Sequence, residues 1–200
     1  MTSAIARRVT LLSLIVLVAL AAGFVLNTPM AYAAPPGQMP VEMSIEKIDV
    51  EAPVEVRTTV NNTMQDPTGA EVVSWYDDSA KPGAPGNSVY AGHLNLAGYG
   101  PAVFADLSEL RKGDVITVTG KRGKTFRYAV AWVRTYDAAT GPWVDLTGPT
   151  ERQTLTLITC APPWNPDIGH YQNRLVVRAV RIQDDAAAPT AEATPVEANE

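Results

Sequence analysis

The sequence predicts a mainly β domain, a single closed or nearly closed β-barrel with one or two short helices, behind an N-terminal membrane segment. Three observations predict the barrel. Short runs of apolar residues recur with the alternation of strands. Clusters of Gly, Pro, Asn and Asp punctuate them at turn-like spacing. Gly and Pro number 14 and 16 in 200 residues, which suits a turn-rich β fold without reaching low-complexity bias. With 46% hydrophobic and 18% charged residues, the chain can build one ordinary domain.

The elements follow in order. Met43 and Ile45 alternate, and Ile48, Val50 and Val54 continue in the opposite phase, so a kink or bulge is expected at Glu46-Lys47 within a first strand. Val72–Trp75 forms a short second strand. Residues 77–87 form a loop, with two prolines and two glycines. Residues 88–91 form a brief strand ending at Gly92-His93. Val103, Leu107 and Leu110 have helical spacing, enough for one or two turns. Gly113-Asp114 opens a hairpin whose strands, 115–119 and 125–136, flank the turn 120–123. In the longer strand Phe126, Tyr128, Val130 and Trp132 are expected on one face. Residues 154–160, rich in Thr and branched aliphatics, make the next strand. Residues 175–182 make the last, and residues 161–172, with three prolines, read as the loop between them. No internal repeat is visible.

The ends stand apart from this body. Arg7 and Arg8 precede an uncharged apolar run, residues 9–26. Eighteen residues at about 1.5 Å each span roughly 27 Å, close to a bilayer's hydrocarbon thickness. The upstream arginines predict residues 1–8 in the cytoplasm and the rest outside. The run is long for a signal peptide, so an uncleaved single-pass anchor in the cell membrane is expected. Ala31-Tyr32-Ala33 supplies the alternative, cleavage after Ala33 and secretion. Residues 27–40 read as a linker and residues 41–183 as the barrel. Residues 184–200, with five acids, no base and many alanines, are too poor in bulky apolar groups to order themselves.

Charge and composition exclude several functions. The net charge is −5, and residues 27–183 carry 14 bases against 16 acids. That leaves no basic excess for a nucleic-acid partner. One cysteine excludes an internal disulfide framework and a Cys-cluster zinc site. Two histidines give little material for a His-based metal centre.

Chemistry concentrates at strand ends. Cys160 closes an apolar strand immediately before Ala161-Pro162-Pro163, where a side chain can leave the barrel wall. An unpaired thiol outside the cell calls for a reason; otherwise it is a buried, inert core cysteine. As a nucleophile it needs a base and a cation, because a free thiol is only a few per cent ionised at neutral pH. His93 lies at another strand exit, after Gly92, which would let the backbone turn sharply. Arg174 enters the last strand, sharing one face with Val176 and Arg178, while Leu175, Val177 and Ala179 share the other. An arginine there can hold a thiolate or an oxyanion; its bland alternative is a solvated strand face. Trp75, Trp143 and Trp164 are candidates for lining a groove, though ordinary packing is the simpler explanation of each.

Five residues, Thr156-Leu157-Ile158-Thr159-Cys160, match the Thr-Leu-x-Thr-Cys signature of sortases, the cysteine transpeptidases of Gram-positive and related cell surfaces. Gly86-Asn87-Ser88-Val89-Tyr90-Ala91-Gly92-His93 is similar to the segment leading to the sortase histidine. Phe104-Ala105-Asp106-Leu107 and Leu110-Arg111-Lys112-Gly113-Asp114 resemble the segment after it. Asn173-Arg174-Leu175-Val176-Val177 resembles the arginine-bearing strand. The likeness runs from about Met43 to Ile182 and is closest to the class F type, with classes E and D as neighbours. Two departures stand out. Leu94-Asn95-Leu96 follows His93 where class F members often have Val-Asp, and some relatives place the arginine nearer Gln172.

The resemblance implies a substrate, a chemistry and a site. Secreted proteins with a Leu-Pro-x-Thr-Gly-like signal near the C-terminus would be cleaved between Thr and Gly. Cys160, His93 and Arg174 would be catalytic, with Arg178 in reserve for the arginine role. Thr159 would bind near the intermediate or simply pack. The acyl group would pass to an amine on the cell wall or on another protein. No cofactor is implied, and without an acidic cluster like the calcium site of some sortases, no metal. Two alternatives remain: an L,D-transpeptidase-like acyltransferase, whose Ser-His-Gly-Cys setting this sequence lacks, and a non-catalytic secreted β module.

Overall fold

A computed structural model describes residues 36–182. The apolar run 9–26, most of the linker and the acidic tail 184–200 lie outside the described residues. Among the described residues no helix is long and apolar enough to cross a membrane.

Eight strands close a barrel in the order β1 (Pro40–Ile45), β2 (Val50–Arg57), β5 (Val73–Tyr76), β6 (Asn87–Ala91), β11 (Thr154–Asn165), β12 (His170–Arg181), β10 (Thr125–Asp137) and β9 (Val115–Gly120). Two small hairpins stand outside it: β3 (Thr59–Val60) with β4 (Thr63–Met64), and β7 (Asn95–Leu96) with β8 (Gly100–Pro101). Most neighbours are antiparallel, but β2 with β5 and β6 with β11 are parallel. Parallel neighbours need long crossovers, and these two crossovers build the walls of the site described below.

The inward residues alternate as strand geometry requires. Met43, Ile45, Ile116, Val118, Phe126, Tyr128, Leu155, Leu157, Val177 and Ala179 fill the barrel. A second cluster lies on the outer face, where Val89 of β6, Ile158 of β11 and Val176 of β12 are covered by Leu146 of the short helix α1 (Trp143–Thr147). Both faces of β11 are therefore apolar around Ile158, which is why this strand reads as a continuous hydrophobic run. Buried polar groups fix α1 on that face. Asn87 Nδ2 donates to the Leu146 and Gly148 carbonyls at 3.1 and 3.2 Å, and Arg178 Nη2 donates to the Leu146 carbonyl at 2.8 Å. These bonds satisfy carbonyls that a helix end leaves without intrahelical partners.

Several expectations need correction. The phase change at Glu46-Lys47 is the reversal between two antiparallel strands, made by a 3-10 turn at Glu46–Ile48 and a left-handed Asp49 (φ 51°). It is not a bulge within one strand. Trp132 does not share the face of Phe126, Tyr128 and Val130. The register against β12 shifts between Val130 and Trp132, so Trp132 packs with the outer cluster and Val133 with the inner one. Residues 161–172 are not a loop throughout. β11 and β12 extend as a hairpin arm, with a register shift between Ala161 and Trp164. The prolines sit at that irregularity, where no ladder N–H is required. Trp164 stacks edge-on against Tyr171, centroids 5.1 Å apart, and closes the arm. The helical spacing of Val103–Leu110 yields only the 3-10 turn Leu107–Glu109.

Candidate active site

The parallel pair β6 and β11 sets the site. Ala91 lies opposite Ile158, so two residues further on His93, just past the end of β6, and Cys160, still within β11, come to the same level. On the other side of Cys160, β12 places Arg174 directly opposite it. Cys160 thus sits on the middle strand, flanked by the histidine and the arginine. All three line one open groove of about 380 Å³ on the outer face of the barrel.

Each side chain has its own support. Gly92 N–H donates to the Ile158 carbonyl at 3.2 Å, and Phe104 N–H to the His93 carbonyl at 3.0 Å. Gly92 is required for space rather than for a turn: a Cβ there would meet the Phe104 ring at 2.5 Å. The His93 ring is held by Nε2, 3.0 Å from the Pro67 carbonyl oxygen. A carbonyl only accepts, so Nε2 carries the proton of the neutral ring and Nδ1 is the nitrogen left to exchange one. Arg174 Nη1 donates to the Tyr171 and Asn173 carbonyls at 3.0 and 2.9 Å, which fixes the guanidinium beside the thiol.

Two crossovers wall the groove. Between β2 and β5 the β3–β4 hairpin contributes Thr63 and Met64, followed by Asp66 and Pro67. Opposite them stand Ala138, Trp143 and Thr147, on and before α1. Tyr76 and Ile158 make an apolar floor. A second hollow of about 180 Å³ opens on the other flank of Cys160, lined by Leu94, Phe104, Thr135 and Pro162 among others.

The thiol is half-buried. Burial pushes its pKa above the ordinary cysteine value; the Arg174 charge opposes that shift and Asp66 adds to it. At rest near neutral pH the sulfur is therefore predominantly protonated. Among the described residues no group of three or more His, Cys, Asp and Glu side chains is placed to hold a metal ion.

The remaining candidates fall elsewhere. Arg178 lies four residues along β12 from Arg174 and is buried under α1, bonded to the Leu146 carbonyl. Its role is to hold the helix, and it does not reach the groove lining. Thr159 borders the groove, yet alternation puts its side chain on the inward face with Leu155 and Leu157. Its hydroxyl is buried without a hydrogen-bond partner among the described residues. Trp143 lines the groove, Trp75 is in the core and Trp164 is exposed on the hairpin arm. Sequence reasoning missed Asp66, the Pro67 carbonyl and the β3–β4 hairpin. A backbone acceptor leaves no side-chain signal, and four strand residues around Asn61-Asn62 are too short a pattern to read.

A thiol between an imidazole and a guanidinium, in an open groove, defines a cysteine acyl-transfer enzyme on a β-barrel. Residues 43–182 match the family model described as a sortase domain, and the chain belongs to that family of cysteine transpeptidases. No curated protein matches the chain. Solved structures agree. A lid mutant of sortase A from Corynebacterium diphtheriae is 26% identical, with TM-score 0.58, covering 80% of this chain and 77% of that one. Sortase C-1 from Actinomyces oris is 27% identical, with TM-score 0.58, covering 72% and 76%. A sortase D5 transpeptidase from Clostridium perfringens, at 21% identity and TM-score 0.55, shares the fold, covering 74% of this chain and 83% of that one.

Proposed function

We propose that this transpeptidase is a class F-type sortase that acts outside the cytoplasm, tethered by residues 9–26, on secreted proteins with a Leu-Pro-x-Thr-Gly-like C-terminal signal. The observation that carries this reading is the placing of Cys160, on β11, between His93 just past β6 and Arg174 on β12, in one groove. Cys160 Sγ attacks the carbonyl carbon of the signal threonine as its proton passes to His93. Arg174, with a backbone N–H just after Cys160, holds the oxyanion of the tetrahedral intermediate; losing one such donor typically costs about 10²–10³ in rate. His93 gives a proton to the leaving glycine nitrogen as the Thr–Gly bond breaks, and a thioester forms. An amine of the cell wall or of another protein then attacks the thioester. His93 takes the proton from that amine and passes it to the departing Cys160 sulfur, so the thiol is regenerated. The thioester keeps the acyl group activated, so a new amide can form without another energy source. A membrane tether raises the effective concentration of enzyme for substrates emerging from the same bilayer.

The test is incubation of the protein with a sorting-signal peptide and an amine acceptor, with products read by mass spectrometry. Wild type is expected to yield the peptide cut after Thr and joined to the amine. Cys160→Ala, His93→Ala and Arg174→Ala are each expected to abolish that product. Full turnover in Arg174→Ala would remove the arginine from the mechanism. Wild type inert toward every signal peptide of this class would overturn the substrate assignment.

A further inference from the structure

The end of the barrel remote from the groove carries a concentration of positive charge. A hollow of about 450 Å³ there is lined by Lys124, Arg152 and Arg181, with the Phe126 ring between them. The Lys124 ammonium and the Arg181 guanidinium lie 5.6 and 5.7 Å from that ring's centroid. Arg181 Nη1 also donates to the Arg127 carbonyl at 3.0 Å. Three more surround the point where the described chain begins. Gly37 packs against Lys81, Lys121 N–H donates to the Met39 carbonyl at 2.8 Å, and Arg122 N–H donates to Gln38 Oε1 at 3.1 Å. Six of the 14 bases in residues 27–183 thus gather at one end. All but Arg181 are exposed. Glu42 and Glu151 sit at the margin, on the strand beside Thr119 and next to Arg152.

We propose that this basic end binds the anionic phospholipid surface of the membrane that carries the protein, and so orients the groove away from the bilayer. The proposal rests on the tether proposed above. The chain reaches the barrel through the patch itself, at Gly37–Met39. Nine residues separate Leu26 from Pro36, and the ten steps between them, at roughly 3.5 Å each, span at most about 35 Å. Within that reach, lysines and arginines held near an anionic leaflet are attracted to it over about a Debye length. Arg174 and Arg181 lie seven residues apart on β12, about 23 Å at roughly 3.3 Å per residue. With Arg181 against the headgroups, Cys160 and its groove open outward, where an acceptor beyond the membrane can enter.

Lysine footprinting of the full chain tests this. The protein is placed in nanodiscs of phosphatidylcholine alone or with phosphatidylglycerol, treated with a water-soluble amine-acylating ester, and read residue by residue. Lys81, Lys121 and Lys124 are expected to react about threefold or more slowly in the anionic discs, with the difference vanishing at high salt. Lys47 and Lys112, in the turns before β2 and β9, are expected to react equally in both. The triple variant Lys121→Glu, Arg122→Glu, Lys124→Glu, in an exposed hairpin turn, should lose the lipid dependence while peptide turnover in solution is unchanged.

Equal reactivity in the two lipids would overturn the proposal. So would equal protection by soluble polyphosphate, which would assign the patch to a free polyanion. Protection in neutral discs that disappears on deleting residues 183–200 would assign it to the chain's own acidic tail, with the same consequence. A chain that inserts into neither disc would refute the tether separately. Added to preformed vesicles, it would still report on the patch: co-flotation with anionic but not neutral vesicles supports the proposal, and its absence overturns it.

Discussion

At the Cys160 sulfur, burial and two neighbouring charges compete. Burial and Asp66 favour the neutral thiol, and Arg174 favours the thiolate. The net upward shift means that alkylation by iodoacetamide should climb with pH through a midpoint above the ordinary cysteine value. Asp66→Asn removes a negative charge, so it should move the midpoint down and speed labelling at pH 7.5; Arg174→Gln should do the reverse. Opposite responses, or none, would show that these charges do not act on the sulfur. Thr159 poses a different question. Its hydroxyl is buried and unpartnered among the described residues, so Thr159→Val should keep transpeptidation and raise stability by about 1 kcal/mol, measured by urea denaturation. A variant that is stable but inactive would give the hydroxyl a part in the chemistry. At this scale the sequence is most legible where a functional side chain interrupts an apolar run. Cys160, His93 and Arg174 each do so, His93 just past β6 and the other two within β11 and β12. Asp66 lies in a polar stretch that offers no pattern to interrupt, and its influence on the thiol appears only when β5, β6 and β11 are set side by side.

The crossover from β2 to β5 positions the histidine through its main chain. Glu55 on β2 accepts hydrogen bonds from the Thr68 N–H and hydroxyl at 2.9 and 2.7 Å and from the Ser74 hydroxyl at 2.7 Å. Burial tends to raise its pKa, but these bonds outweigh that and hold it below the ordinary carboxylate value. Thr68 follows Pro67, whose carbonyl accepts the hydrogen bond from His93 Nε2–H. Glu55→Gln should therefore loosen the loop and lower kcat/KM about fivefold, the equivalent of roughly one hydrogen bond, while alkylation of Cys160 is little changed. The pinning is present above the ordinary glutamate pKa and fades as pH falls through the depressed one, so the wild-type advantage over the variant should shrink toward acid pH. A constant ratio across pH would place the effect elsewhere. Elements differ in how openly the sequence shows them. β9 and β10 flank a Gly-Lys-Arg-Gly turn and alternate cleanly, so both are readable to within a residue. The bulge in β10 hides because Trp132 is apolar and satisfies either phase. The extension of β11 hides because Pro162 and Pro163 signal a break that the paired arm tolerates. α1, five residues capped by Asn87 and Arg178, is held by partners remote in sequence, so no local pattern announces it.

The described chain is a closed barrel whose buried tyrosines carry a pH signature. Tyr90 is fully buried, and burial is the leading cause of its raised pKa, as it is for Tyr76 and Tyr128. Above the ordinary tyrosine pKa of about 10 the unfolded chain releases these protons while the folded chain keeps them. The folded state then binds more protons, so stability should fall as pH rises past that value, visible as a falling urea midpoint. A flat midpoint would mean that the tyrosines ionise in place. At the scale of the whole chain, alternation and turn residues make the barrel class legible. The closing order is not, because β2–β5 and β6–β11 pair across long crossovers that local sequence cannot specify. That closing order is also what brings the thiol, the imidazole and the guanidinium to one groove. The most direct test of this account is intact-mass analysis after mixing the protein with a sorting-signal peptide and no acceptor amine. The account predicts a mass increase equal to the peptide up to its threonine, located on the fragment containing Cys160 and absent in Cys160→Ala. Cleaved peptide with no adduct on Cys160, or an adduct on another residue, would contradict it.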